Sequence, residues 1–283
     1  MSFAQAEVKD LEDDFKTTYE LSGITIRNDT LYAVSERCEK IFLLNKKSLE
    51  VIKTIDLSGF FPTRADTVEI ESLLLYNNHL YMTDELNLEI MDYDLALGTL
   101  DKFKGHGFTN EYKNKIEGIA IKNDKMYVLI EKNKKSQSEI HLFKVDFKTK
   151  SLSPMLKILI NVPENSRYSD ICFDNHTGKL MGLRTSYFRD DMKKNEYVID
   201  EINLSGIRRD VTGDVVLNSE DFVSISNLTA VVQNPPGGKT YTTNLEGLTS
   251  DSKFIYVVSD NGKYGLKKCS AGGDLPFFIK VKR

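Results

Sequence analysis

Apolar and polar positions along this chain fall into short runs that break at turns and then resume. "LSGITIRNDTLYAVSE" (21–36) is an apolar run, an Asn-Asp turn signal and a second apolar run. The figure returns in "IESLLLYNNHLYMTDE" (70–85), "IEGIAIKNDKMYVLIE" (116–131), "YSDICFDNHTGKLMGLR" (168–184) and "LEGLTSDSKFIYVVSD" (245–260). Two short apolar runs across a turn rich in Asn, Asp or Gly are the signature of a β-hairpin. No long segment keeps the 3.6-residue period of an amphipathic helix. Strands dominate throughout.

Repeat starts lie 49, 46, 52 and 77 residues apart, and the first three intervals are in or near the spacing of propeller blades. Each such blade is a four-stranded antiparallel sheet. "KIFLLNK" and "VIKTIDL" supply outer strands after the first hairpin, and "EIHLFKVDF" and "MLKILINV" do so after the third. The expected fold is all-β, a five-bladed β-propeller occupying residues 1–283 as one domain, with six blades as the alternative. The long interval before the last hairpin holds "DVTGDVVLNSEDFVSISNLTAVVQNPPGGKTYTTN", which lacks the hairpin figure and reads as an excursion. Either "PFFIKVKR" or an N-terminal strand can close the ring.

Aligning the hairpins on their apolar pattern exposes a column of side-chain oxygens: Ser22, Glu71, Glu117, Ser169 and Glu246. Each opens an innermost strand, so all five are expected to converge near one mouth of the channel. Buried carboxylates repel unless protonated or neutralised by a cation. Calcium takes six to eight oxygen ligands, and waters can complete a five-residue ring. A second column, Glu36, Glu85, Glu131, Arg184 and Asp260, follows the first by 14 or 15 residues and is expected directly across each hairpin. Loops on the same face bring Lys132, Lys134, Lys135, Arg189, Lys193 and Lys194, with Arg64 and Arg167 just before strands. Cations around a metal-filled acidic centre suit a phosphate or carboxylate ligand.

Composition narrows the alternatives. Charged residues make up 28% of the chain and the net charge is −4 without any long block of one sign, which argues against nucleic acid. No apolar run approaches the ~20 residues needed to span a bilayer. "MSFAQAEVKDLEDDFK" lacks the basic and apolar stretches of a secretory leader, so the sequence as it stands reads as cytoplasmic, or as periplasmic or secreted with a leader removed. Cys38, Cys172 and Cys269 show no CxxC spacing and are expected reduced and buried. The chain is expected to be a monomer.

The five hairpins in order resemble the SdiA-regulated propeller family, which is related to the esterase-like domains of phytase. The fourth copy differs, with Ser169-Asp170 in place of Ser-Gly and Arg184 in place of an acid. More distantly, "DICFDNHTGKLMGLRTSYFRDD" is similar to the fourth blade of the calcium-activated apyrases. That likeness implies calcium ligands at Ser22, Glu71, Glu117, Ser169 and Glu246. It also allows a hydrolase of phosphoesters, phosphoanhydrides or esters, in which Glu85 or Glu131 positions water and Arg184 holds phosphate. Two functions follow as expectations. The chain is a calcium-binding propeller whose face takes an anionic small molecule or a protein partner, with Glu36, Asp260 and Lys132 beside the ligand, or it is a calcium-dependent hydrolase.

Overall fold

The computed structural model describes residues 6–10, 20–36, 38–61, 68–112, 115–132, 137–188, 194–205, 207, 214–234, 244–259 and 277–283. The chain opens with a short strand, β1 (Ala6–Asp10), whose partner comes from the far end of the sequence. Blade 1 then runs outward from the axis as β2 (Leu21–Arg27), β3 (Thr30–Ser35), β4 (Lys40–Asn45) and β5 (Val51–Asp56). Blade 2 repeats this with β6 (Ile70–Tyr76), β7 (His79–Asp84), β8 (Glu89–Asp94) and β9 (Thr99–Lys102). Blade 3 has β10 (Ile116–Lys122), β11 (Lys125–Ile130), β12 (Ser138–Asp146) and β13 (Ser151–Ile160). Asn77, Asn78, Asn123 and Asp124 all take positive φ, the twist that two-residue hairpin turns need and that Asn and Asp tolerate best.

Blade 4 contains β14 (Ser166–Phe173), β15 (Leu180–Ser186) and β16 (Glu196–Ile202). The long excursion then does two things. Its strand β17 (Val215–Leu217) returns to blade 3 and pairs in parallel with β13, and β18 (Phe222–Asn227) completes blade 4. A short helix, α1 (Thr229–Gln233), leads on towards blade 5, made of β19 (Leu245–Ser250), β20 (Phe254–Ser259), β21 (Phe277–Lys282) and β1. The ring has five blades, and the excursion is not a sixth. Closure uses both candidate strands, because "PFFIKVKR" supplies β21 and the N-terminus pairs against its outer edge.

The inner strands touch in cyclic order, β2 to β6, β10, β14, β19 and back to β2. Between each pair of blades lies one wedge of apolar side chains, and the five wedges make the core. Near the axis the backbones come so close that a Cβ on Gly23 would stand 2.5 Å from Leu73 N, and one on Gly118 2.8 Å from Ile171 N. This explains the "SG" and "EG" pairs at the start of inner strands. Cys172 is free and buried, but Cys38 is disulfide-bonded, which corrects the expectation of three reduced thiols; Cys269 lies outside the described residues. Among the described residues no helix is long and apolar enough to cross a membrane.

Gly23→Ala should wedge blades 1 and 2 apart, since the atoms it meets are backbone and cannot swing aside. A loss of about 1–3 kcal/mol is expected from such overpacking, read as a lower urea midpoint. An unchanged midpoint would show that the two inner strands are not held at this distance.

Candidate functional site

Every inner strand carries a break in register at its first turn of the ladder. The breaks fall between Leu21 and Gly23, Ile70 and Ser72, Ile116 and Ile119, Tyr168 and Asp170, and Leu245 and Gly247. A β-bulge leaves a residue out of the pairing and re-aims its side chain. The residues so released are Ser22, Glu71, Glu117, Ser169 and Glu246, the whole of the first column. All five are buried.

Their hydrogen bonds divide them by type. Ser22 Oγ donates to Ile70 O, and Ser169 Oγ donates to Leu245 O at 2.6 Å. Each acceptor directly precedes the column glutamate of the next blade, so the serines tie successive blades together around the axis. The three glutamates instead face one another's charge. Burial and the neighbouring Glu36, Glu85, Glu117 and Glu246 push the Glu71 carboxyl well above the usual carboxylate range. Burial and Glu131 do the same to Glu117, against the opposing pull of Arg167.

The second column sits differently from the sequence expectation. Glu36, Glu85 and Glu131 donate their backbone N–H groups to the carbonyls of Glu20, Glu69 and Lys115, at 2.8, 3.0 and 2.8 Å. Glu131 lies opposite Lys115 rather than Glu117, because the two-residue turn sets Glu117 against Ile130 and the bulge shifts the pairing by one residue more. Its carboxylate nonetheless remains close enough to act on that of Glu117. Glu69, which the sequence reading passed over, joins the cluster: Glu36, Glu69 and Glu71 offer carboxylate oxygens all within 4.8 Å of one another. Burial, contact with Glu69 and the charges of Glu36 and Glu131 push Glu85 up to about 9.

Blade 4 brings the main correction. Arg184 pairs with Tyr168, one step inside the column, and the residue across from Arg167 is Thr185. The turn of the fourth hairpin holds six residues, 174–179, against two in each of the first three, so the position equivalent to Glu131 is Thr185, 16 residues after Ser169 instead of 14. Arg184 is held within blade 4, where its Nε donates to Asp200 Oδ2 at 2.7 Å. Tyr168 and Ser224 complete the Asp200 carboxylate at 2.8 and 2.7 Å. The cation that does enter the acidic mouth is Arg167. Its Nη1 donates to Glu131, its Nη2 lies 3.4 Å from Glu246 Oε1, and its guanidinium covers the Tyr187 ring at 5.3 Å. Lys132 is half-buried on the loop leaving β11 and Lys194 is exposed, while Asp260, Arg64, Lys134, Lys135, Arg189 and Lys193 lie outside the described residues.

No known protein family matches the chain, and no curated protein resembles it significantly. Solved structures do share its architecture. Glutaminyl cyclase from Myxococcus xanthus aligns with a TM-score of 0.53 and 11% identity over 100% of both chains. Virginiamycin B lyase from Staphylococcus aureus aligns with a TM-score of 0.48 and 8% identity, covering 98% of this chain and 99% of that one. At such identities the likeness speaks for fold alone. The expected kinship with the SdiA-regulated family narrows accordingly to the β-propeller architecture.

The raised carboxyls set a pH dependence. A glutamate that keeps its proton when folded but releases it when unfolded favours the folded state less as pH rises above its unfolded value. For Glu85 the window runs from 4.5 to about 9. Each proton so held contributes a decline of ~1.4 kcal/mol per pH unit within its window. In chelator, the melting temperature should fall between pH 5.5 and 8, and Glu85→Gln should flatten part of that slope. A flat or rising wild-type profile would contradict the clustering of these carboxyls.

Proposed function

We propose that this protein is a calcium-binding β-propeller whose acidic mouth takes an anionic ligand through the bound ion. The observation that carries this reading is the set of five bulges, which release buried glutamates from three blades towards one another. Such an arrangement is unfavourable without a counter-ion, and its donors are all oxygens, the set that hard cations prefer. Calcium suits it better than magnesium, because carboxylates from separate blades and shared waters give a large, adaptable shell. Glu71, Glu117 and Glu246 are the proposed central ligands, with Glu36 and Glu69 beside Glu71. Ser22 and Ser169 each retain oxygen lone pairs after donating to the next blade and complete the ring.

A second reading, a calcium-dependent hydrolase, is favoured by one feature. Glu85 lies against Glu69 at the edge of the proposed ion site, and a carboxyl there is placed to exchange a proton with a metal-held ester or phosphate. Glu131 is the other candidate, as the group that positions water. Arg184, engaged by Asp200, enters neither reading.

Calcium should raise the melting temperature of the chelator-treated protein, since at a hundredfold excess over Kd a ligand of the native state adds ~2.7 kcal/mol. Glu117→Gln should lose most of that gain, and calorimetry should show its weaker calcium affinity directly. A wild-type melting temperature indifferent to calcium and chelator would end the proposal. Calcium-dependent turnover of a generic phosphoester that Glu85→Gln abolishes, with calcium affinity retained, would select the hydrolase; absence of turnover selects the binding protein.

A further inference from the structure

Among the described residues, three buried side-chain polar atoms have no hydrogen-bond partner: Arg167 Nε, Thr185 Oγ1 and Tyr187 Oη. Native proteins leave few such atoms, and each one calls for an explanation. These three share one place. Arg167 and Thr185 are cross-strand partners, and the Arg167 guanidinium lies over the Tyr187 ring, near its hydroxyl but outside hydrogen-bond geometry. Thr185 is only 1% exposed, so bulk water does not serve its hydroxyl.

The chemistry of the orphans selects the ligand. Arg167 Nε can only donate, and the hydroxyls of Thr185 and Tyr187 can both donate. The remaining Arg167 nitrogens already face Glu131 and Glu246. A group made only of acceptors satisfies all three at once, whereas an amine or metal cation satisfies none through Nε. We propose that Arg167, Thr185 and Tyr187 form an oxyanion seat on the blade 4 side of the mouth, which takes a carboxylate or phosphoryl group of the ligand. This deepens the calcium reading and rests on it in one respect. Glu131 and Glu246 flank the seat and repel a bare anion, so the ion held by the neighbouring glutamates strengthens its occupancy. Burial keeps the Tyr187 phenol protonated far above neutral pH, so it remains a donor under working conditions. The seat also gives Tyr187 a role that neither sequence column contained.

The test uses the full chain and the near-isosteric double variant Thr185→Val, Tyr187→Phe. Calcium is titrated first without anion; the calcium-loaded protein is then titrated with inorganic phosphate and, separately, with acetate. Phosphate or acetate should bind the wild type, whichever binds identifying the group, and should bind the double variant at least tenfold more weakly. Calcium affinity should stay within about twofold. The metal-free double variant should melt no lower than wild type, because the deleted hydroxyls have no partner in the folded protein. Equal anion affinity in both proteins, no binding of either anion, or a clearly lower melting temperature of the variant would overturn the seat. Should calcium itself fail to bind, the calcium reading falls separately. The anions are then titrated onto metal-free protein, where variant-sensitive binding keeps the donor seat and its absence removes it.

Discussion

Neighbouring inner strands meet backbone to backbone around the axis, and the rest of the molecule is arranged to permit that approach. A side chain on Gly23 or Gly118 would collide with main-chain atoms of the next blade. Where the position is not glycine, the side chain is used instead as a tie. Ser72 bonds Thr83 within its blade at 2.9 Å, and Asp170 accepts the backbone N–H groups of Ile171 and Leu248 at 2.8 and 2.7 Å. The fourth hairpin's departure from "SG" is therefore a substitution of one closure device for another. Asp170 reaches across to blade 5, where a glycine would leave the packing to backbone alone.

The same closeness creates the electrostatic problem at the mouth. Bulges needed to fit the strand ends around a narrow axis turn their extra residues inward, and three of these are glutamates. Two serines in the remaining blades relieve the crowding and also hold adjacent blades in register. Arg167 offsets part of the charge on the side of Glu131 and Glu246, while Glu71 lies nearest Glu36 and Glu69. The mouth is thus polarised. A built-in cation lies on one side, and a group of carboxyls able to collect a second cation lies on the other.

Much of this was legible in the sequence because the hairpins carry their own turn chemistry. Asn77-Asn78 and Asn123-Asp124 announce turns through residues that tolerate positive φ, and flanking apolar runs then set the strands. The first column followed from counting within those hairpins. What counting could not supply was register. The two-residue turn alone sets Glu117 against Ile130 rather than Glu131, and a bulge, which has no composition signal, carries Glu131 one step further, to Lys115. In blade 4 a longer turn moves Arg184 inside the sheet and puts Thr185 in its place, across from Arg167. β17 was equally hidden, since three residues that cross to another blade have no periodicity to read.

The pairing of β1 with β21 places Ala6 opposite Val281, so this ladder joins parts of the chain separated by nearly its whole length. Such contacts carry the largest loop-closure entropy and are reached late in folding. Glu246 belongs to the blade completed by that ladder, and Glu71 and Glu117 feel its charge only when the circle is shut. Glu36, Glu69, Glu71, Glu85, Glu117 and Glu131 all come from blades 1 to 3 and their connections, so most of these carboxyls meet before the ring is shut. Closure of the ring adds the Glu246 charge to an acidic cluster already assembled, and that share of the repulsion falls on the joining of the chain's two ends.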